Sequence, residues 1–175
     1  MVLLADRNID FVSGDLLAFR PKKGEQERLY SIGAGPNKEI ILYIKKHFLG
    51  SCSQHLAGLG QNSKIEARIV SNTKFHAPQG YTSLILVSNG TGIAPFIGMA
   101  VENKSNANID LFWGGKSAED YKLYEEELMG LKANNQIRNL QTIFSLDKNQ
   151  YVQQLIKDNQ AEIAEALSNG TSIMI

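Results

Sequence analysis

The hydrophobic positions of this chain follow two rhythms, and the change between them falls near residue 80. Before it the apolar runs are short: Val2 to Leu4, Leu16-Leu17-Ala18-Phe19, Arg28-Leu29-Tyr30-Ser31-Ile32, Ile40-Ile41-Leu42-Tyr43-Ile44, and an alternating stretch from Lys64 to Val70. Alternation and β-branched or aromatic side chains are the pattern of half-buried strands. Turn chemistry separates them at Gly14-Asp15, in the polar stretch Pro21 to Gln26, and at Gly33-Ala34-Gly35-Pro36-Asn37. The glycine-spaced segment from Gly50 to Gly60 has room for one helical turn around Gln54-His55-Leu56. Strands recurring about every 8–12 residues predict a small barrel or sandwich.

After Ala77-Pro78-Gln79-Gly80 the apolar runs alternate with helical periodicity. Leu84 to Val87 predicts a strand, followed by the loop Asn89-Gly90-Thr91-Gly92 and a helix to about Glu102. Asp110 to Trp113, Leu140 to Phe144 and Thr171 to Ile175 predict three more strands, with Gly114-Gly115-Lys116 as a turn. Between them Tyr121, Tyr124, Leu128 and Leu131 share one helix face behind a capping serine, Ser117. Val152, Leu155 and Ile156 mark another helix, and Ile163 and Leu167 a further one ending at Asn169-Gly170. Strand and helix in alternation imply a parallel sheet with right-handed crossovers. The predicted fold class is therefore β + α/β: a small barrel or sandwich, a boundary near residues 76–82, then an α/β domain with a parallel sheet.

Composition narrows the function. Of 175 residues, 43% are hydrophobic, and 18 Lys and Arg balance 18 Asp and Glu to a net charge of zero. That gives no footprint for nucleic acid or for a polybasic membrane surface. No apolar run reaches the roughly 18 residues of a membrane span, and Met-Val-Leu-Leu-Ala-Asp has no basic leader. A single cysteine, Cys52, excludes an internal disulfide and fits a reducing compartment. His47, His55 and His76 are scattered without metal-ligand spacing, so no metal site is expected.

Two strings carry candidate chemistry. The first is Leu84-Ile85-Leu86-Val87-Ser88-Asn89-Gly90-Thr91-Gly92-Ile93-Ala94-Pro95-Phe96. Strand, glycine loop and helix in that order present free backbone N–H groups and a helix dipole to an anion. Gly90 and Gly92 are expected to turn with positive φ, Thr91 adds a hydroxyl, and Pro95 suits a first helical turn. Taken alone, the string equally describes a tight turn in any α/β domain. The second is Arg28-Leu29-Tyr30-Ser31. Arg28 and Tyr30 project to one strand face, where a guanidinium can fork onto a pyrophosphate and a phenol can lie on a planar ring. Its plain alternative is a surface arginine beside a half-buried tyrosine.

Arg-Leu-Tyr-Ser, then Gly50-Ser51-Cys52-Ser53, then Gly-Thr-Gly-Ile-Ala-Pro-Phe together resemble the ferredoxin–NADP⁺ reductase family. Ser13-Gly14-Asp15-Leu16-Leu17, Trp113-Gly114-Gly115-Lys116-Ser117-Ala118-Glu119-Asp120-Tyr121, Phe144-Ser145 and Tyr151-Val152-Gln153 resemble its diflavin reductase branch, which includes the flavoprotein of sulfite reductase. The resemblance covers nearly the whole chain. It implies a partial antiparallel, FAD-binding β-barrel over residues 1–78 followed by an NAD(P)-binding α/β domain, the nucleotide-binding part, over 79–175. Position by position, it implies that Arg28 lies at the FAD pyrophosphate, Leu29 among the cofactor-binding residues, Tyr30 on the isoalloxazine and Ser31 beside its reactive nitrogen, as the catalytic hydroxyl. It puts Tyr43, Ile44 and Lys45 on a strand lining the flavin, and Gly50, Ser51, Cys52 and Ser53 at the flavin phosphates. Gly90, Thr91 and Gly92 hold the nicotinamide nucleotide. Lys116, Ser145, Tyr151 and Gln153 surround the adenosine 2′-phosphate.

The chain also departs from the family pattern. Leu146 stands where the diflavin branch has an arginine, and Lys116 replaces another; Lys148 is a compensating cation. The choice between NADPH and NADH is thereby open. His47-Phe48-Leu49 is a short connection that gives an adenine little cover, so FMN remains an alternative to FAD. By comparison with the family, both ends look trimmed: the barrel lacks a first strand or two, and Ile175 stands where the family continues with Cys-Gly and a final helix. The expected function is an NAD(P)H-dependent flavoprotein reductase. It would pass electrons to a one-electron redox protein or domain, itself within the same larger polypeptide in one version, and would lie in the cytoplasm or at the cytoplasmic face of a membrane. The rivals are a non-catalytic flavin- or nucleotide-binding fragment of a larger anchored oxidoreductase, and a flavin-free interaction module.

Overall fold

A computed structural model describes residues 1–22, 24–103 and 107–175. Its N-terminal part holds two three-stranded antiparallel sheets. One is built from β1 (Val2–Leu3), β5 (Ile40–Ile41) and β4 (Gly33–Ala34), in that order, and the other from β3 (Arg28–Ser31), β2 (Leu16–Phe19) and β6 (Ala67–Val70). Ile32, fully buried, is the corner where the chain leaves one sheet for the other. Its amide donates to the Asp15 carbonyl and its carbonyl accepts from Gly14, both at 2.9 Å. Leu17, Ile32, Ile40 and Leu42 fill the space between the sheets. Helix α1 (Ser51–Ala57) closes one end by burying Cys52 and Leu56 against Phe19.

The second part is a four-stranded parallel sheet in the order β10 (Ser172–Met174), β7 (Ser83–Asn89), β8 (Asn108–Gly115), β9 (Asn139–Phe144). Helices α2 (Ala94–Val101) and α3 (Ala118–Ala133) cover one face, on a core of Leu84, Leu86, Phe96, Ile97, Leu111, Trp113, Tyr121, Tyr124 and Leu128. Helices α5 (Val152–Asp158) and α6 (Gln160–Ser168) cover the other, on Ile85, Val87, Phe112, Val152 and Ile163. A single turn, α4 (Ser145–Lys148), joins β9 to α5. The four tandem apolar positions predicted for α3 are all buried, and Asp120 N–H donates to the capping Ser117 Oγ at 3.3 Å. Strand order reverses at β7, so the loop after β7 opens at the switch point where α/β sheets take ligands. No helix among the described residues is long and apolar enough to cross a membrane.

Four local expectations are corrected. Gly33-Ala34 is strand β4 rather than a turn, and the turn is confined to Pro36-Asn37. Gly33 serves contact there: a β-carbon on it would lie 2.2 Å from the Ala94 carbonyl oxygen of α2. Gly114 and Gly115 end β8 rather than turning, because Val152 and the Trp113 indole occupy the places of their β-carbons. Tyr43, Ile44 and Lys45 follow β5 without joining a ladder. Of the two loop glycines, Gly90 has φ +54° but Gly92 does not adopt positive φ. The segment Gly90–Ile93 is a 3₁₀ turn leading into α2.

Candidate functional site

A cavity of about 550 Å³ opens between the second antiparallel sheet, α1 and the loop after β7. β3 supplies Arg28, Leu29 and Tyr30; the segment after β5 supplies Tyr43, Ile44 and Lys45; the start of α1 supplies Gly50, Ser51, Cys52 and Ser53; the glycine loop supplies Thr91. Eleven of the expected residues thus come together from four separate stretches of chain.

Arg28 is exposed at this cavity and forms no ion pair among the described residues. Register on β2 places it opposite Phe19 and Tyr30 opposite Leu17. Tyr30 is half-buried, and burial raises its phenol above the ordinary range, with the Arg28 charge opposing. Cys52 is buried; burial pushes its thiol up, against the pull of Arg28. It is therefore a neutral wall rather than a nucleophile. In the first turn of α1 the amides of Ser51, Cys52 and Ser53 have no partner within the helix. The Ser53 hydroxyl accepts from His47 N–H and donates to the Gly50 carbonyl, both at 3.1 Å, which folds the 47–50 connection onto the helix. Gly50 permits this, since a β-carbon on it would fall 2.5 Å from Ser53 Oγ.

Tyr43 ties the cavity wall to the parallel-sheet part. Its hydroxyl donates to Glu127 of α3, and its ring meets Tyr124 edge-on at 4.7 Å. Burial and then the Glu127 carboxylate hold this phenol far above its ordinary titration range, so it stays protonated.

The other expected residues lie elsewhere. Ser31 is exposed at the end of β3 and does not line the cavity. Gly90 and Gly92 flank Thr91 but do not line it either. Lys116, Ser145, Tyr151 and Gln153 sit at the β8–α3 and β9–α5 junctions, joined by Leu146 N–H donating to the Lys116 carbonyl at 2.9 Å. Tyr151 and Leu146 are exposed there. The Lys148 side chain lies outside the described residues.

Glu25, Gln26, His47 and Leu49 also line the cavity and were not expected. Glu25 accepts a hydrogen bond from Ser51 Oγ, which orients that serine at the start of α1. Their nearness in sequence to Arg28 and Gly50 was the available signal. For Glu127 there was none, because its partner lies 84 residues away.

The family model described as oxidoreductase NAD-binding domain matches residues 86–175. The chain belongs to this oxidoreductase family, of the ferredoxin–NADP⁺ reductase type. Within it, the NADPH sulfite reductase flavoprotein alpha-component of Buchnera aphidicola is 32% identical over 167 residues, 85% of this chain and 28% of that protein. Bovine NADPH–cytochrome P450 reductase is 31% identical over 111 residues, 58% of this chain and 16% of that protein. The oxidoreductase fold is also that of Plasmodium falciparum ferredoxin–NADP⁺ reductase: TM-score 0.74 at 26% identity, covering 91% of this chain and 69% of that one. The same Plasmodium enzyme solved with 2′P-AMP gives TM-score 0.72 at 25% identity, covering 95% and 74%. The chain spans less than a third of the length of the sulfite reductase and P450 reductase relatives.

Proposed function

We propose that this oxidoreductase chain is the flavin- and NAD(P)H-binding segment of a reductase that delivers electrons to a one-electron protein partner. Residues 1–78 form its flavin-binding part and 79–175 its nicotinamide-nucleotide part. The observation that carries this reading is the shared cavity: Arg28, Tyr30, the start of α1 and Thr91 of the glycine loop face one space of about 550 Å³.

The donor set fits a flavin nucleotide. Arg28 and the first-turn amides of α1 offer positive partners to phosphate, and Tyr30 and Ile44 offer flat and apolar surface to a tricyclic ring. A bound flavin would supply the exchange between two-electron hydride chemistry and one-electron transfer. The chain's own residues bind, orient and shield. Arg28 neutralises phosphate charge, and the Ser51, Cys52 and Ser53 amides fix its position. Tyr30 covers the ring, while Ser31, next in the chain, lies outside the cavity and would have to turn toward it to offer its hydroxyl at the ring edge. Tyr43, held by Glu127, keeps the wall in place. Gly90-Thr91-Gly92 brings the nicotinamide nucleotide to the same space by backbone amides. Ser145, Tyr151 and Gln153, with Lys116, take its adenosine end.

Fluorescence-quenching titration with FAD and with FMN tests binding, and anaerobic addition of NADPH or NADH tests hydride acceptance through loss of the flavin's visible absorbance. Tight flavin binding followed by bleaching is expected. Binding without bleaching would make the chain a non-catalytic flavin holder, and no binding would overturn the reading.

A further inference from the structure

Ser88 is a polar residue on an apolar face. Residues two apart on a strand point the same way, so Ser88 continues the face of Leu84 and Leu86, against Ile93, Phe96 and Ile97. It is 5% exposed, and its Oγ is covered and has no hydrogen-bond partner among the described residues. An alanine would fill this position without stranding a hydroxyl, since buried polar groups are normally paired.

What lies beside that hydroxyl is the glycine loop. On the side where Gly92 would carry a β-carbon, Ser88 Oγ at 3.7 Å is the only atom within 4 Å among the described residues, the adjoining residues and the turn's own backbone aside. The two ends of the loop are held differently. Gly90, in its left-handed conformation, has its carbonyl fixed by the Trp113 Nε1–H at 3.0 Å. Gly92 has an ordinary φ, and the place of its missing β-carbon, in van der Waals range of the unpaired Oγ, is all that separates its main chain from that hydroxyl.

We propose that Ser88 is a positioning residue for the glycine loop: nucleotide docking settles the Gly92 segment onto Ser88, whose hydroxyl then hydrogen-bonds the loop main chain. This rests on the reading that the loop binds a nicotinamide nucleotide. Because protein atoms cover Oγ, its partner is the loop and not the ligand. The bond exists only with nucleotide in place, so it strengthens nucleotide binding and contributes nothing to the nucleotide-free fold.

Ser88→Ala in the flavin-loaded chain separates this role from a structural one. Calorimetric titration with NADP⁺ and with NAD⁺ gives the affinity, and a thermal melt without nucleotide gives the stability. Expected is binding weaker by about three- to ten-fold, the worth of one net hydrogen bond, with an unchanged or higher melting temperature. Unchanged affinity for both nucleotides overturns the proposal. So does weaker binding accompanied by a lower melting temperature, which would mean that the hydroxyl already has a partner in the free protein. A parent chain that binds neither nucleotide overturns this proposal and the functional reading together, whereas equal binding by parent and variant overturns this proposal alone.

Discussion

Gly33 of β4 and Gly98 of α2 meet backbone to backbone. A β-carbon on Gly98 would lie 2.7 Å from Gly33 Cα, 2.5 Å from Ala34 N and 2.2 Å from Ser13 Oγ. The same Ser13 hydroxyl accepts from Ala34 N–H at 3.0 Å and donates to Glu102 at 2.7 Å. At this point the antiparallel and parallel parts therefore meet through main chain and one serine, with no side-chain layer between Gly33 and Gly98. Gly98→Ala should destabilise the fold by about 1–3 kcal/mol, the usual cost of overpacking. Urea denaturation followed by circular dichroism would measure it, and an unchanged midpoint would contradict the contact.

Arg28→Ala should weaken flavin binding by roughly ten- to a hundred-fold, because a charge-assisted bond to phosphate is worth about 1.5–3 kcal/mol. Arg28 is exposed and without an ion-pair partner among the described residues, so the fold should be unaffected. Flavin fluorescence titration checks this, and affinity equal to the parent's would remove Arg28 from the site.

Gly92→Val should abolish NAD(P)H binding while leaving the melting temperature close to the parent's. Gly92 lies outside the left-handed region and an added β-carbon there meets only Ser88 Oγ, at 3.7 Å, so the backbone conformation itself does not demand glycine. Nucleotide docking does, because a valine would fill the space beside Ser88 into which the loop is proposed to settle. Undiminished nucleotide affinity in the variant would place the binding site elsewhere.

Much of this was legible in the chain. The period-two runs before residue 80 and the alternating elements after it were read correctly because each hydrophobic face has a single surface to cover. The four apolar positions of α3 illustrate this. Glycine was misread where its role is long-range. Gly33 and Gly114 look like turn residues, yet each is small because α2 or Val152 occupies the space a side chain would need. No local pattern carries that information. The same holds for the site: the Arg28 and Gly50 strings were visible as motifs, whereas the Tyr43–Glu127 bond depends on how two distant elements pack.

Leu146→Arg should shift preference toward NADPH. Leu146 is 73% exposed at the start of α4, and its amide is tied to the Lys116 carbonyl, so an arginine there would join the lysine at the proposed 2′-phosphate position. The ratio of NADPH to NADH dissociation constants measures this, and no change, or a change toward NADH, would argue against the assignment.

Acid stability should depend on Asp15. Burial pushes its carboxyl up, but the Asn72 amide, His76 and the Val12 amide together hold it below its ordinary value of 3.8. A depressed native pKa contributes stability that is present above the unfolded value and is lost as pH falls through the native one. Asp15→Asn should therefore lower stability at pH 6 and flatten its decline below about pH 4. Denaturation midpoints across that range would show it, and parallel curves for parent and variant would not support it.

The indole that holds Gly90 belongs to the chain's only tryptophan. Tryptophan emission, excited apart from that of the tyrosines, thus comes from one site, buried at the root of the loop and bonded to it. Any strain that reaches the Gly90 carbonyl alters that fluorophore's hydrogen bond directly. The molecule carries its own optical gauge of the loop, readable without a label in the flavin-free chain.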